Sequence, residues 1–268
     1  MNAPTRPRLA VITGASEGLG RDLAECYAKA GFQLVLVARR EALLHALSAE
    51  LAAAHGTSCT VFAADLSRPA ECDRLLAALQ PRRTELFALV NNAGLGTHGW
   101  FHELPIERQR ALIDLNVTAL THLSRGVLPW LRDNGTGHIM NLASVASFQP
   151  GPLMATYYAS KAYVLSLSEA LHNECRGTGV TVSAVCPGPT RTGFARAAGL
   201  SPRAPAGGAP AMSSPEVARL AFGQTMAGRP VIVTGLRNKV AVFIGRYFPR
   251  SFTAQLVRRI QMRRIVGP

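Results

Sequence analysis

Cysteine is scarce in this chain, acid is missing from one end of it, and no apolar run is long. Five cysteines, Cys26, Cys59, Cys72, Cys175 and Cys186, are spread through the sequence without a C-x-x-C pair, mostly within apolar stretches. Such spacing argues against a disulfide framework or a thiolate metal centre and reads as the reduced core thiols of a cytosolic protein. No metal is therefore expected. No uninterrupted apolar run reaches the ~18 residues of a spanning helix, and residues 1–7 lack the apolar core of a secretory signal. A cytoplasmic location is the expectation, with peripheral membrane attachment as its variant. No internal repeat divides the chain.

Acidic residues number 16 against 29 Lys and Arg, a formal net charge of +13. The excess is local. Residues 1–216 carry 19 basic and 16 acidic side chains, whereas residues 217–268 carry ten basic and none acidic. Nucleic acid is not expected as a partner. A basic C-terminal extension points instead to an anionic lipid surface, an acidic acyl-carrier protein or a phosphate-bearing substrate such as an acyl-CoA, or else to a solvated face. Residues 240–244, Tyr247 and Phe248 add apolar contact there. Phe252, Leu256 and Ile260 share a helical face, but Arg259 and Arg263 intrude on it, so the expected amphipathy is poor.

Hydrophobic residues make up 48% of the chain, enough at this length to bury the core of one α/β domain. Its first unit is explicit. Residues 9–12 read as a short buried strand, Thr13-Gly14-Ala15-Ser16-Glu17-Gly18-Leu19-Gly20 as a turn, and the stretch to about residue 30 as a helix. Glycines permit a tight turn and close backbone approach to a pyrophosphate, and a helix N-terminus offers free N–H groups. Further along come a second strand over 33–37, a helix over 41–54, a helix starting near Pro69 with Ser67 as its cap, and a strand over 139–143 that delivers Ser144 at its carboxyl end.

Thirteen residues after Ser144 stands Tyr157-Tyr158-Ala159-Ser160-Lys161. A tyrosine and a lysine four apart share a helix face, so the ammonium can sit close to the phenol. A free phenol titrates near pH ~10, and a neighbouring positive charge lowers that value toward the range in which proton transfer is efficient. Tyr158 is the rival phenol, but its i+4 position holds Ala162. Ser147 is the rival hydroxyl and reads as a loop residue. Ser144 beside Tyr157 fits reversible carbonyl/alcohol chemistry.

The order of these motifs, from about Arg8 to Phe194, resembles the classical short-chain dehydrogenase/reductase family. The set comprises Thr13 to Gly20, Asp65, Asn91-Asn92-Ala93-Gly94, Asn116, Ser144, Tyr157, Lys161 and Pro187-Gly188. The resemblance implies a single Rossmann-like, doubly wound parallel sheet with helices on both faces, and a Ser-Tyr-Lys-Asn site working with a nicotinamide dinucleotide. By the same resemblance Tyr157 is the proton donor or acceptor, and Ser144 orients the substrate oxygen. Lys161 binds the nicotinamide ribose and lowers the tyrosine pKa, and Asn116 holds a water of the proton relay. Gly14, Ser16, Glu17, Gly18, Leu19 and Gly20 form the cofactor turn. Asp65 and Leu66 meet the adenine, Asn92, Ala93 and Gly94 line the adenosine side, and Pro187, Gly188, Thr190 and Thr192 flank the nicotinamide. Asn91 is expected to tie strands together.

The strand over 33–37 ends in Ala38-Arg39-Arg40, with no carboxylate to grip a ribose 2′-hydroxyl. Arginine offers a fork of donors matched to a 2′-phosphate, so NADP(H) is favoured over NAD(H), with Arg39 the first candidate and Arg40 the second. Residues 192–214, rich in Gly, Pro and Ala, read as a long irregular connection that the resemblance makes a substrate lid. Trp100, Phe101, His102, Phe148 and Met154 suggest a hydrophobic carbonyl compound.

The expectation is thus an NADP(H)-dependent oxidoreductase acting on CH–OH groups, with an apolar ketone or 3-ketoacyl group as substrate. The alternative is an NADP(H)-binding sensor or docking protein without turnover. One domain is expected: a dinucleotide-binding core over 1–192, lid and last core elements over 193–236, and the basic extension over 237–268. By analogy with the family the chain forms a homo-oligomer, dimer or tetramer, through the helices that carry Asn116 and Tyr157.

Overall fold

Short β-branched runs alternate with longer helical stretches throughout, the pattern that builds a parallel sheet with helical crossovers. The computed structural model describes residues 8–200, 211–245 and 247–263. Strands β1 (Leu9–Thr13), β2 (Gln33–Ala38), β3 (Cys59–Ala63), β4 (Leu86–Asn91), β5 (Gly137–Leu142) and β6 (Val180–Cys186) are joined by helices. These are α1 (Gly18–Lys29), α2 (Glu41–His55), α3 (Pro69–Leu79), α4 (Ile106–Ile113), α5 (Leu120–Asn134) and α6 (Ala155–Glu174). Then follow β7 (Thr190–Arg191), α7 (Phe194–Ala197), β8 (Met212–Ser213), α8 (Ser214–Met226), β9 (Val231–Val233), α9 (Leu236–Gly245) and α10 (Arg250–Met262). The main sheet is parallel in the order β3-β2-β1-β4-β5-β6-β9. It is the doubly wound Rossmann-like fold.

Both sheet faces are covered, so the central strands carry almost no polar alternation; all five residues of β1 are buried. On one face Leu23, Tyr27, Leu44, Leu47, Ala218 and Ala221 of α1, α2 and α8 pack on Ile12, Leu36 and Val90. On the other, Leu75, Leu123, Val127 and Leu131 of α3 and α5 pack on Val11, Leu89 and Ile139. Asn91 donates to Ser124 Oγ at 3.0 Å and to Asn141 Oδ1 at 2.9 Å, and Asn141 donates to Ser168 Oγ at 2.9 Å. That buried polar chain ties β4 and β5 to α5 and α6. The five thiols are free, and burial pushes Cys26 and Cys72 up to about 11 and Cys186 up to about 12.

Two local expectations need correction. Ser67 does not cap α3: its hydroxyl turns back to donate to Asp65 Oδ1 at 2.8 Å, and its N–H reaches the same oxygen at 3.2 Å. The short Asp side chain satisfies that turn before the helix begins. The connection over 192–214 is not uniformly irregular, because α7 and β8 form within it, β8 pairing with β7 just ahead of it; Pro202 to Pro210 lie outside the described residues. On α10 the buried positions are Thr253, Val257 and Gln261. Phe252 and Leu256 face outward at 50% and 49% exposure, since the charged flank of Arg259 and Arg263 requires water on that side.

His138 on β5 is buried and lies 2.6 Å from the Tyr27 hydroxyl. Burial, aided by Arg8, lowers its pKa to about 4. The folded form therefore holds it neutral, while the unfolded chain takes up the proton below about pH 6.5. Stability should be fully present above pH 6.5 and fall by roughly 3 kcal/mol as pH drops to about 4. Denaturant unfolding between pH 4 and 7 measures this, and His138→Gln should flatten that part of the profile.

Candidate active site

The chain winds from β1 through β2 to β3 and then returns to place β4 on the other side of β1. At such a reversal the loops leaving the two central strands diverge and open a crevice at their carboxyl ends. Thr13, the last residue of β1, pins the crevice. Its buried hydroxyl donates to the Val90 carbonyl at 3.1 Å and accepts the N–H groups of Asn92 and Ala93, each at 3.0 Å. Asn92 donates back to the Thr13 carbonyl at 2.9 Å and the Gly14 carbonyl at 3.2 Å. Gly14 has a left-handed φ of +67°, and a Cβ on Gly20 would collide with the Gly14 carbonyl and the Asn92 side chain. The turn can close only with glycine at both points. No side chain caps α1, so its first-turn N–H groups face the crevice as anion donors.

Along the rim, Arg40 donates to Ser16 Oγ at 3.0 Å and pairs with Glu17 at 2.8 Å. Arg39 is exposed beside it. Asp65 and Leu66, after β3, close the same end.

Ser144 leaves β5 and caps the short 3-10 turn Val145–Phe148, its Oγ accepting the Ala146 N–H at 3.1 Å. Ser147 completes a capping box: its hydroxyl accepts the Ser144 N–H at 3.3 Å and donates to the Lys161 carbonyl at 2.7 Å. The rival hydroxyl thus fixes the Ser144 turn onto α6. Lys161 is buried and its Nζ donates to the Leu142 carbonyl at 2.6 Å, 5.9 Å from the centroid of the Tyr157 ring. Burial lowers the lysine to about 8. It also pushes the Tyr157 phenol up to about 12, against a lowering hydrogen bond from Ser144. The expected depression of the tyrosine is therefore not found: the ammonium points at a carbonyl, and crowding around the ring dominates.

Asn116 lies in a π-helical segment, Asp114–Ala119, between α4 and α5. Its side chain accepts the Leu95 N–H at 2.8 Å and donates to the Leu95 carbonyl at 2.9 Å and to Ser160 Oγ at 3.1 Å. A widened turn of this kind re-aims a side chain inward, a frequent device at functional sites. A Cβ on Gly94 would lie 3.2 Å from Asn116 Oδ1 and 3.6 Å from Lys161 Nζ, so that glycine keeps open the space the two share. One cavity of about 920 Å³ runs from Arg39 and Arg40 to Ser144, Tyr157 and Lys161. Every residue expected to meet the cofactor lies on its wall, including Pro187, Gly188, Thr190 and Thr192; Asn116 stands behind it.

The family profile described as short chain dehydrogenase matches residues 8–201. The chain belongs to the short-chain dehydrogenase family. A short-chain dehydrogenase from Sphingobium yanoikuyae, solved in complex with NADPH, is 38% identical, with 85% of this chain and 88% of that one covered and a TM-score of 0.78. The bulky-bulky ketone specific alcohol dehydrogenase from Comamonas testosteroni is 30% identical, with 90% and 93% covered and a TM-score of 0.77. A family member from Burkholderia phymatum in complex with NAD is 31% identical, with 88% and 92% covered and a TM-score of 0.80. As a short-chain dehydrogenase the protein is an oxidoreductase that interconverts carbonyl and alcohol groups with a nicotinamide cofactor.

The substrate end of this short-chain dehydrogenase differs from the sequence reading. Of the five side chains expected there, only Met154 reaches the cavity wall. Phe101 and His102 point to solvent, Trp100 lies under the Arg258 guanidinium at 5.7 Å, and Phe148 packs into the core. Leu95, and Phe194 and Leu200 of the segment read as a lid, line this end as expected, and Ile260 and Gln261 of α10 join them. Gln261 donates to the Tyr158 hydroxyl at 3.3 Å. No local motif marked α10 as part of the site, because its contribution depends on how the last helix folds back. Thr13 was likewise read only as part of a turn. Thr13→Val should leave the Asn92 and Ala93 amides without their acceptor and cost about 2–4 kcal/mol, whereas Thr13→Ser should retain wild-type stability in denaturant unfolding.

Proposed function

We propose that the protein is an NADP(H)-dependent reductase of apolar ketones, with Tyr157, Ser144, Lys161 and Asn116 as its working set. The observation that carries this reading is the convergence of a phenol, a serine hydroxyl and a buried lysine on one cavity whose far end is apolar. The uncapped start of α1 and the space beside Gly14 and Gly20 fit a pyrophosphate, and Arg39 and Arg40 fit an adenosine 2′-phosphate. When bound, the nicotinamide supplies or accepts the hydride at the carbonyl carbon.

The chain's own residues do the rest. Ser144 hydrogen-bonds the carbonyl oxygen and sets its direction. Tyr157, protonated throughout the neutral range with a pKa of about 12, gives its phenolic proton to that oxygen as negative charge develops there. Lys161 holds the ribose, and its positive charge offsets the phenolate left behind. Asn116, braced by Leu95 and Ser160, fixes the start of the path by which the proton is replaced. Phe194, with its ring 5.3 Å from that of Tyr157, excludes water from the reacting face together with Met154 and Ile260.

The site's apolar lining favours a bulky ketone, and the bulky-ketone enzyme's likeness to this chain supports the same class. A homo-oligomer is part of the proposal, formed through α4, α5 and α6, where Ile113 and Tyr163 stand exposed.

Turnover of apolar aromatic, steroid and 3-ketoacyl ketones should be faster with NADPH than with NADH, and Tyr157→Phe should reduce it by about 10²–10⁴-fold. Arg39→Ala and Arg40→Ala should raise the KM for NADPH by roughly ten- to hundredfold while leaving that for NADH unchanged. Tight NADPH binding with no turnover on any of these ketones would favour a non-catalytic sensor instead.

A further inference from the structure

Seven of the exposed large apolar side chains cluster on the last two helices and the turn between them. On α9, Leu236, Val240 and Phe243 follow helical spacing and are 76%, 48% and 60% exposed, flanked on either side by Arg237 and Lys239. Phe243 meets Tyr247 edge-on at 5.2 Å, and Phe248 stacks on Phe252 at 5.1 Å. The pairs support each other while remaining open to solvent; Tyr247 is 75% exposed. On the outward side of α10, the exposed Phe252 and Leu256 are followed by the exposed Arg259 and Arg263.

A soluble protein rarely leaves such a patch uncovered. Two features of its chemistry identify the cover. First, aromatic and aliphatic groups stand interleaved with exposed Arg and Lys on two short helices, and no described helix is long and apolar enough to span a bilayer. That is the make-up of a surface which lies in a lipid interface. Second, the chain has no acidic residue after Glu216, so nothing on these helices repels negative headgroups. A partner of the same chain would meet this face with like charge.

We infer that α9 and α10 form a docking surface for an anionic lipid bilayer, with Phe243, Tyr247, Phe248 and Phe252 entering the headgroup region and the flanking Arg and Lys meeting lipid phosphates. Gln261, on the buried side of α10, and the half-buried Ile260 beside it reach the cavity wall. Docking therefore places a single helix between the lipid and the apolar end of the site.

The test is flotation of the full chain with vesicles of phosphatidylcholine alone and of phosphatidylcholine with about 30% phosphatidylglycerol at ~0.15 M salt. Association should be about tenfold stronger with the anionic vesicles and should weaken as salt rises. Phe243→Ser with Phe252→Ser, and separately Lys239→Glu with Arg259→Glu, should each lower it by about tenfold or more. Both double variants should retain wild-type unfolding profiles and NADPH binding. No association with anionic vesicles would overturn the inference, as would association unaffected by either variant. So would loss of a self-associated species in the Phe variant without a change in flotation, which would assign the face to a second copy. Capture of an acidic carrier protein in the absence of vesicle binding would assign it to a protein partner and equally overturn the inference.

Discussion

Everything at the active site hangs on the seam between β1 and β4. These two parallel strands are neighbours in the sheet but begin its two oppositely wound halves, and their outgoing loops must part company within a residue or two. One hydroxyl, that of Thr13, satisfies the backbone of the departing β4 loop on three sides. The cost of leaving those amides unpaired in a dry interior fixes the loop's position more firmly than any packing contact could. With the seam set, the glycine turn and the first turn of α1 occupy one lip of the crevice and Asn92 to Gly94 the other.

The second half of the site is governed by burial. Lys161 is a charged group held out of water, and its Nζ finds a carbonyl of the strand that carries Ser144. The strand end, the buried lysine and, through Ser147, the main chain of α6 therefore form one braced unit. The same exclusion of water raises the Tyr157 phenol above its ordinary value.

Much of this was legible in the sequence, because the central strands are short apolar runs and the loops at their carboxyl ends contain residue types with little structural freedom. The glycines of the first turn, Asn91 as a strand tie, and the lining by Arg39, Arg40 and Asp65 follow from such local logic. What escaped the reading depends on distance along the chain. Whether Trp100 and Phe148 reach the site is set by loop packing, and the role of Ser67 by a competing Asp65 two residues away. The direction of the Tyr157 shift reflects the summed crowding of many elements, which the four-residue spacing to Lys161 cannot report. The helical wheel of α10 named the face shared by Phe252, Leu256 and Ile260 but no inward side, and only the folded body shows that Thr253, Val257 and Gln261 turn inward.

The separation of chemistry from shape along the chain has a consequence for how such an enzyme changes over time. The residues proposed to hold cofactor and move the proton lie between positions 13 and 192, whereas Phe194, Leu200, Ile260 and Gln261 line the same cavity from later in the chain. Substitutions in α10 can therefore reshape that wall without touching the seam or Tyr157. Two descendants of this sequence could diverge completely in diet while remaining indistinguishable in mechanism.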